Sequence, residues 1–140
     1  MSKYTREELE VIGMKAMDEF MTTFNSGDPM AWAQTLNFPH VRLAGGKVQI
    51  WNTLEEYARD NDVRVLKDKS GWGYSKWDWC KVIQAEDDKI HIAVSFSRYS
   101  AEGTKIVSFE SFYIITNVNG HWGAQFRSSF AGVIDANTAF

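Results

Sequence analysis

The sequence predicts an α+β domain, with helices in the first half of the chain and an antiparallel sheet in the second. Three observations carry this. Leu9, Ile12, Ala16, Phe20 and Phe24 recur at helical spacing and form one stripe. From Trp72 onward the apolar pattern changes to period two. Two-residue turn signals then fall at Asp87-Asp88, Glu102-Gly103 and Asn119-Gly120, spacing four strands near 73–86, 89–100, 105–118 and 121–130.

Each element has a local cause. Thr5 with Glu8 three residues on is a capping box that starts the first helix, and Met17 and Met21 widen its stripe. Asn25-Ser26-Gly27 stops it, because glycine takes the left-handed C-cap conformation readily. Asp28 and Pro29 open a short second helix as N-cap and first helical residue. Met30, Trp32, Ala33 and Leu36 line it, and Pro39 ends it. His40 to Trp51 reads as a hairpin about Gly45-Gly46, with His40, Arg42 and Trp51 on one side. Thr53 and Glu56 repeat the capping-box signal and open a third helix through Leu54, Tyr57, Ala58 and Val65, broken at Ser70-Gly71.

The turns set a register, and the register assigns faces. Asp78 falls opposite Ser97, Cys80 opposite Ser95, Ser95 opposite Glu110, Ser97 opposite Ser108, Glu110 opposite Ser129, and Phe112 opposite Arg127. One face then carries Trp77, Trp79, Ile83, Ile92, Val94, Phe96, Phe109, Tyr113, Ile115, Trp122, Phe126 and Phe130. The other carries Asp78, Cys80, His91, Ser95, Ser97, Tyr99, Ser108, Glu110, Phe112, Gln125, Arg127 and Ser129.

At 140 residues the chain fits one domain over 1–140. Its 15 Lys+Arg against 18 Asp+Glu give a net charge of −3. No basic run interleaves with aromatics, which argues against nucleic acid as a partner. The one cysteine cannot form an internal disulfide. The first residues lack the apolar stretch of a signal peptide, and no apolar run reaches membrane-spanning length. The expectation is a cytoplasmic protein that does not contact membrane. Aromatic residues make up 14%, which points to much covered surface, in an interface or a ligand cavity.

The order of elements resembles the nuclear-transport-factor-2-like superfamily, also called SnoaL-like. Phe24-Asn25-Ser26-Gly27-Asp28, the stretch from Trp51 to Tyr57, Asn119-Gly120-His121-Trp122 and the ending Arg127-Ser128-Ser129-Phe130 carry the resemblance. It implies a cone-shaped α+β barrel, with N-terminal helices packed in a curved antiparallel sheet and a pocket at the wide end. It also implies a homodimer through the outer sheet face. The superfamily includes ketosteroid isomerase, polyketide cyclases, scytalone dehydratase, epoxide hydrolases and non-catalytic association domains. Fold does not choose among them. The three ketosteroid isomerase residues would fall at Phe20, Phe112 and near Leu43, all apolar, so the resemblance does not carry that mechanism over.

The polar face supplies the candidate site. By the superfamily analogy it points into the cone. Asp78 and Glu110 are then acid–base candidates, Arg127 orients an anionic group, Ser129 and Tyr99 hydrogen-bond it, His40 sits at the mouth, and Trp72 shapes a hydrophobic ligand pocket. Physics alone favours the opposite: the apolar face forms the core, leaving Glu110 and Arg127 a solvated cross-strand pair. An inward polar face would require a sheet-to-sheet dimer to cover the aromatic face.

No histidine pair has metal-ligand spacing, no glycine-rich phosphate loop precedes a helix, and no nucleophile elbow surrounds a serine. No metal or cofactor is expected. The leading reading is a small-molecule-binding protein with a small organic ligand bearing an anionic group. It would act as a cofactor-free isomerase, cyclase, dehydratase or hydrolase. The alternatives are a non-catalytic dimeric binding or association module, and an accessory protein that docks another chain through an aromatic face.

Overall fold

The computed structural model describes residues 2–131; Met1 and residues 132–140 of the expected domain lie outside the described residues. Helix α1 (Arg6–Ser26) begins with the capping box, as Thr5 Oγ1 accepts from the Glu8 amide and Glu8 accepts from the Thr5 amide. It ends at Gly27, whose φ of 75° needs no Cβ. Asp28 caps α2 (Pro29–Ala33) by accepting from the Met30 and Ala31 amides.

Here the chain departs from expectation. The second helix stops at Ala33, and β1 (Leu36–Ala44) takes up Leu36 and Pro39. β1 turns through Gly45-Gly46 into β2 (Lys47–Trp51), pairing His40 with Trp51 and Arg42 with Gln49. The third helix divides into α3 (Leu54–Asp60) and α4 (Arg64–Ser70). Asn61 makes the division: its buried amide donates to the Tyr57 carbonyl and accepts from Arg42. Only half of the second capping box forms, because Glu56 accepts from the Asn52 amide rather than from Thr53.

The four long strands are β3 (Trp72–Ala85), β4 (Lys89–Ser100), β5 (Lys105–Val118) and β6 (His121–Ser129). With the first hairpin they make one six-stranded, curved, unclosed sheet in the order β2-β1-β6-β5-β4-β3. The α+β class therefore holds. One pairing, β1 with β6, is parallel, and all others are antiparallel.

α1 lies across the sheet and buries Leu9, Ala16, Met17, Phe20 and Phe24 against it. The approach is close at Gly13, where a Cβ would stand 3.0 Å from Ile92 Cδ1. Ile90, Ile92, Val94, Tyr113 and Ile115 complete the core from the sheet. Burying this apolar surface is the main stabilising term. Among the described residues no helix is long and apolar enough to cross a membrane.

The register corrects the expected faces. β4 and β5 pair as anticipated, with Ser95 opposite Glu110 and Ser97 opposite Ser108. In β6, however, Ile115 faces Ala124 while Ile114 faces Phe126, so Gln125 is an extra residue. This bulge shifts everything beyond it by one: Tyr113, not Phe112, opposes Arg127, and Ser111, not Glu110, opposes Ser129. β3 has similar bulges at Gly73, Asp78 and Ile83, so Cys80 pairs with Val94 and turns inward.

The expected polar face is thereby split. Arg127, Ser129 and Cys80 join the helix-facing side, while Asp78, Ser95, Ser97, Ser108, Glu110 and Phe112 stay on the outer side. Trp79 and Ile83 also leave the core face and are 45% and 43% exposed. The predominantly apolar face is the core, as physical reasoning required, so the argument that a polar interior demands a covered aromatic exterior falls.

Candidate functional site

α1 and the sheet do not meet completely beyond Phe20. A narrow cleft remains between them. Phe20, Met21 and Phe24 line it from α1, and Ser75, Trp77, Phe96 and Tyr113 line it from the sheet. Two guanidinium groups complete the lining, Arg98 from β4 and Arg127 from β6. Each is buried, at 4% and 3% exposed.

Arg98 ends the alternation Ile90, Ile92, Val94, Phe96, which points it inward. Its guanidinium stands 5.6 Å from the Phe96 ring centre and 5.3 Å from that of Phe109. Burial and the charge of Arg127 lower its pKa to about 10. Arg127 lies 5.8 Å from the Tyr113 ring centre and donates a long 3.3 Å hydrogen bond to Ser129 Oγ. Ser129 Oγ also meets Ser111 Oγ at 2.6 Å and accepts from the Ala131 amide. Arg127 Nε is buried without a hydrogen-bond partner among the described residues.

Beside the cleft lies a second buried polar group, set by the inward side of β1. Arg42 stands opposite Arg127 in the parallel pairing. It donates to Tyr57 Oη at 2.8 Å and to Asn61 Oδ1 at 3.0 Å, and lies 4.5 Å from the Trp51 ring centre. Its pKa is lowered, first by burial and also by Arg127. His40 Nδ1 meets the Ala124 carbonyl at 2.9 Å. Burial first, then the charge of Arg42, with a smaller share from Arg127, lowers the His40 pKa to about 3. The charge of Arg127 thus reaches His40, Arg42 and Arg98 alike.

Among the described residues no Asp or Glu is buried. Burying a cation away from water is unfavourable unless an opposite charge or good hydrogen bonds compensate. For Arg127 the described residues supply a long hydroxyl contact and an aromatic face. The arrangement suits an anion. Among the described residues no three His, Cys, Asp or Glu gather as a metal site.

The structure treats the expected site residues unequally. Arg127 lines the cleft with Ser129 hydrogen-bonded to it, and His40 belongs to the adjoining buried group. Trp72 is core: it packs on Phe24, and its Nε1 donates to Ser75 Oγ. Tyr99 stacks on Tyr74 with centroids 5.2 Å apart, on the side away from the cleft. Asp78 and Glu110 are exposed on the outer face. Asp78 accepts there from Ser95 and Ser97. The sheet itself separates both carboxylates from Arg127.

Arg42, Arg98, Tyr57 and Tyr113 join the buried group beyond the residues that the sequence points to. The parity of Arg98 within an apolar alternation was a usable signal. Two positions carried over from ketosteroid isomerase need correction as well. Leu43 and Phe112 face outward, and the inward neighbours Arg42 and Tyr113 are not carboxylates.

No family model matches the sequence, and no curated protein does. Solved structures do match. A Nostoc punctiforme protein of unknown function with a cystatin-like fold superposes with a TM-score of 0.73 at 14% identity, over 93% of this chain and 94% of that one. An NTF2-like protein with a cystatin-like fold from Novosphingobium aromaticivorans gives 0.70 at 14% identity, over 94% and 86%. The chain has the NTF2-like fold. A third structure with this likeness, from Catenulispora acidiphila and solved in complex with S-DNPA, gives 0.70 at 11% identity, over 89% and 94%. Within the NTF2-like fold, the cleft of this chain lies between the long N-terminal helix and the inner sheet face.

Proposed function

We propose that this chain binds a small, largely apolar organic anion in the α1–sheet cleft. Arg127 meets the anionic group, and Phe20, Phe24, Trp77 and Phe96 meet the hydrocarbon. The observation that carries the reading is Arg127 itself, a buried guanidinium lining the cleft with no ion-pair partner among the described residues. A carboxylate or enolate fits the planar donor fork of arginine. That a neighbour of the same fold was solved in complex with S-DNPA supports the class of function.

The test is thermal stabilisation by benzoate and 1-naphthoate. Ligand that binds only the folded state raises Tm by mass action. Arg127→Ala should remain folded and lose the shift, whereas Arg59→Ala, altering an exposed arginine, should keep it. Equal shifts in Arg127→Ala and the parent chain would remove Arg127 from the site.

The same reading includes a homodimer through the outer sheet face. There Trp79 and Ile83 lie among Asp78, Lys81, His91 and Glu110, a mixture suited to an interface that forms between soluble subunits.

A further inference from the structure

We propose that the Ser75 hydroxyl donates a hydrogen bond to the ligand, so that the cleft takes an organic anion carrying a second, hydrogen-bond-accepting group of the carbonyl type. The proposal rests on the reading of Arg127 as the partner of the anion.

The first argument is placement. Ser75 lines the same cleft as Arg127, so a molecule held there meets both. Ser75 comes from β3 and Arg127 from β6, with β4 and β5 between those strands in the sheet. The two polar groups therefore address different parts of one bound molecule. Ser75 is buried, at 2% exposed, so water reaches it only through the cleft that it lines.

The second argument is orientation. Asn25, near the end of α1, holds the Ser75 backbone at two points. The Ser75 amide donates to Asn25 Oδ1 at 2.8 Å, and the Ser75 carbonyl accepts from Asn25 Nδ2 at 2.9 Å. Trp72 Nε1 then donates to Ser75 Oγ at 2.8 Å. An indole N–H only donates, so this contact occupies a lone pair of Oγ and leaves the hydroxyl proton unused. That proton meets no acceptor among the described residues.

The third argument is chemical. Arg98 stands opposite Ser75 in the β3–β4 pairing, and a guanidinium only donates. The polar groups at this part of the cleft thus offer protons and suit an acceptor. A buried, unmatched donor favours a ligand that brings the matching acceptor, because any other ligand leaves the donor unpaired. The bonds from Asn25 and Trp72 fix the hydroxyl in advance, so little ordering cost falls on binding. A bound water is the rival acceptor, and it gives no preference among ligands.

The experiment is calorimetric titration of the full chain with benzoate, with meta- and para-acetylbenzoate, and with meta- and para-isopropylbenzoate, which match the acetyl compounds in shape but lack the acceptor. Between the parent chain and Ser75→Ala, the acetyl-to-isopropyl affinity ratio of at least one isomer should fall about fivefold, the loss of one net hydrogen bond. A ratio unchanged in both isomers assigns no bond to Ser75 and overturns the proposal while leaving the Arg127 reading standing. Binding of benzoate but of neither acetylbenzoate does the same. Failure of benzoate and every analogue to bind overturns both. Infrared spectroscopy of the parent chain gives a check independent of any variant. The isotope-labelled ketone of a bound acetylbenzoate should stretch at a hydrogen-bonded frequency, and an aprotic frequency in both isomers overturns the proposal.

Discussion

Burial of a neutral imidazole links the His40 side chain to the pH dependence of stability. Its pKa is about 6.5 when free and about 3 in the fold. Between those values the unfolded chain binds the proton and the folded chain does not, so acid favours unfolding. The stability is fully present above about pH 6.5 and declines as pH falls towards 3. The steepest contribution of one such group is about 1.4 kcal/mol per pH unit. Exposed carboxylates titrate over part of this range, so the readout is a difference. Urea unfolding of the parent chain should lose stability faster than His40→Asn as pH falls from about 6 to 4, by roughly that slope. Parallel pH profiles would show that the ring is not held neutral.

At the scale of the element, β6 shapes the site. Ala124 still follows the core pattern of Ile115, and one residue later the bulge at Gln125 exchanges the faces. The bulged side chain is held from β5: Thr116 Oγ1 donates to Gln125 Oε1, and Asn37 donates to the Thr116 carbonyl. Just before it, Gly123 lets β6 lie against the start of β1. A Cβ there would stand 2.6 Å from the Thr35 carbonyl oxygen and 2.9 Å from the Leu36 carbonyl carbon. Those atoms are backbone and cannot swing aside. Gly123→Ala should therefore destabilise the fold by about 1–3 kcal/mol, the usual effect of overpacking. Unfolding at unchanged urea concentration would mean that β1 and β6 separate more easily than the parallel pairing implies.

For the whole molecule, the unclosed sheet offers an outer face that mixes apolar and charged side chains. Trp79 is close to half exposed in a single chain. The proposed homodimer predicts a light-scattering mass of twice 16.0 kDa at micromolar concentration. Trp79→Glu should give the monomer mass, since a buried unpaired carboxylate opposes association. A monomeric parent chain removes the dimer from the proposal without touching the cleft, which lies on the other side of the sheet.

The sequence alone determined the first helix and the four long strands, but not the start of β1 or the division of the third helix. Strands expected at 89–100 and 105–118 are found at those bounds, β3 is displaced by one residue at each end, and β6 ends one residue early. The Thr5–Glu8 box, the Gly27 stop, the Asp28 cap and the Asn119-Gly120 turn also stand where expected. These signals are local: caps, left-handed turns and alternation depend on neighbours a few residues apart. The inward side of β1 was legible for the same reason, since His40, Arg42 and Trp51 follow from one tight turn.

Only the tertiary structure decided which residues share the cleft. Each bulge in β3 and β6 adds one residue, and one residue reverses every side chain beyond it. Nothing local to Gln125 announces its bulge, and the turn at Asn119-Gly120 is satisfied with or without it. Arg127 and Glu110 thus read as neighbours yet stand on opposite faces. The parallel pairing that sets Arg42 beside Arg127 joins strands far apart in the chain, so turn chemistry does not specify it. Its register follows from the fit of the whole curved sheet around α1, where burying Phe20, Phe24 and Tyr113 outweighs the preference of any single strand.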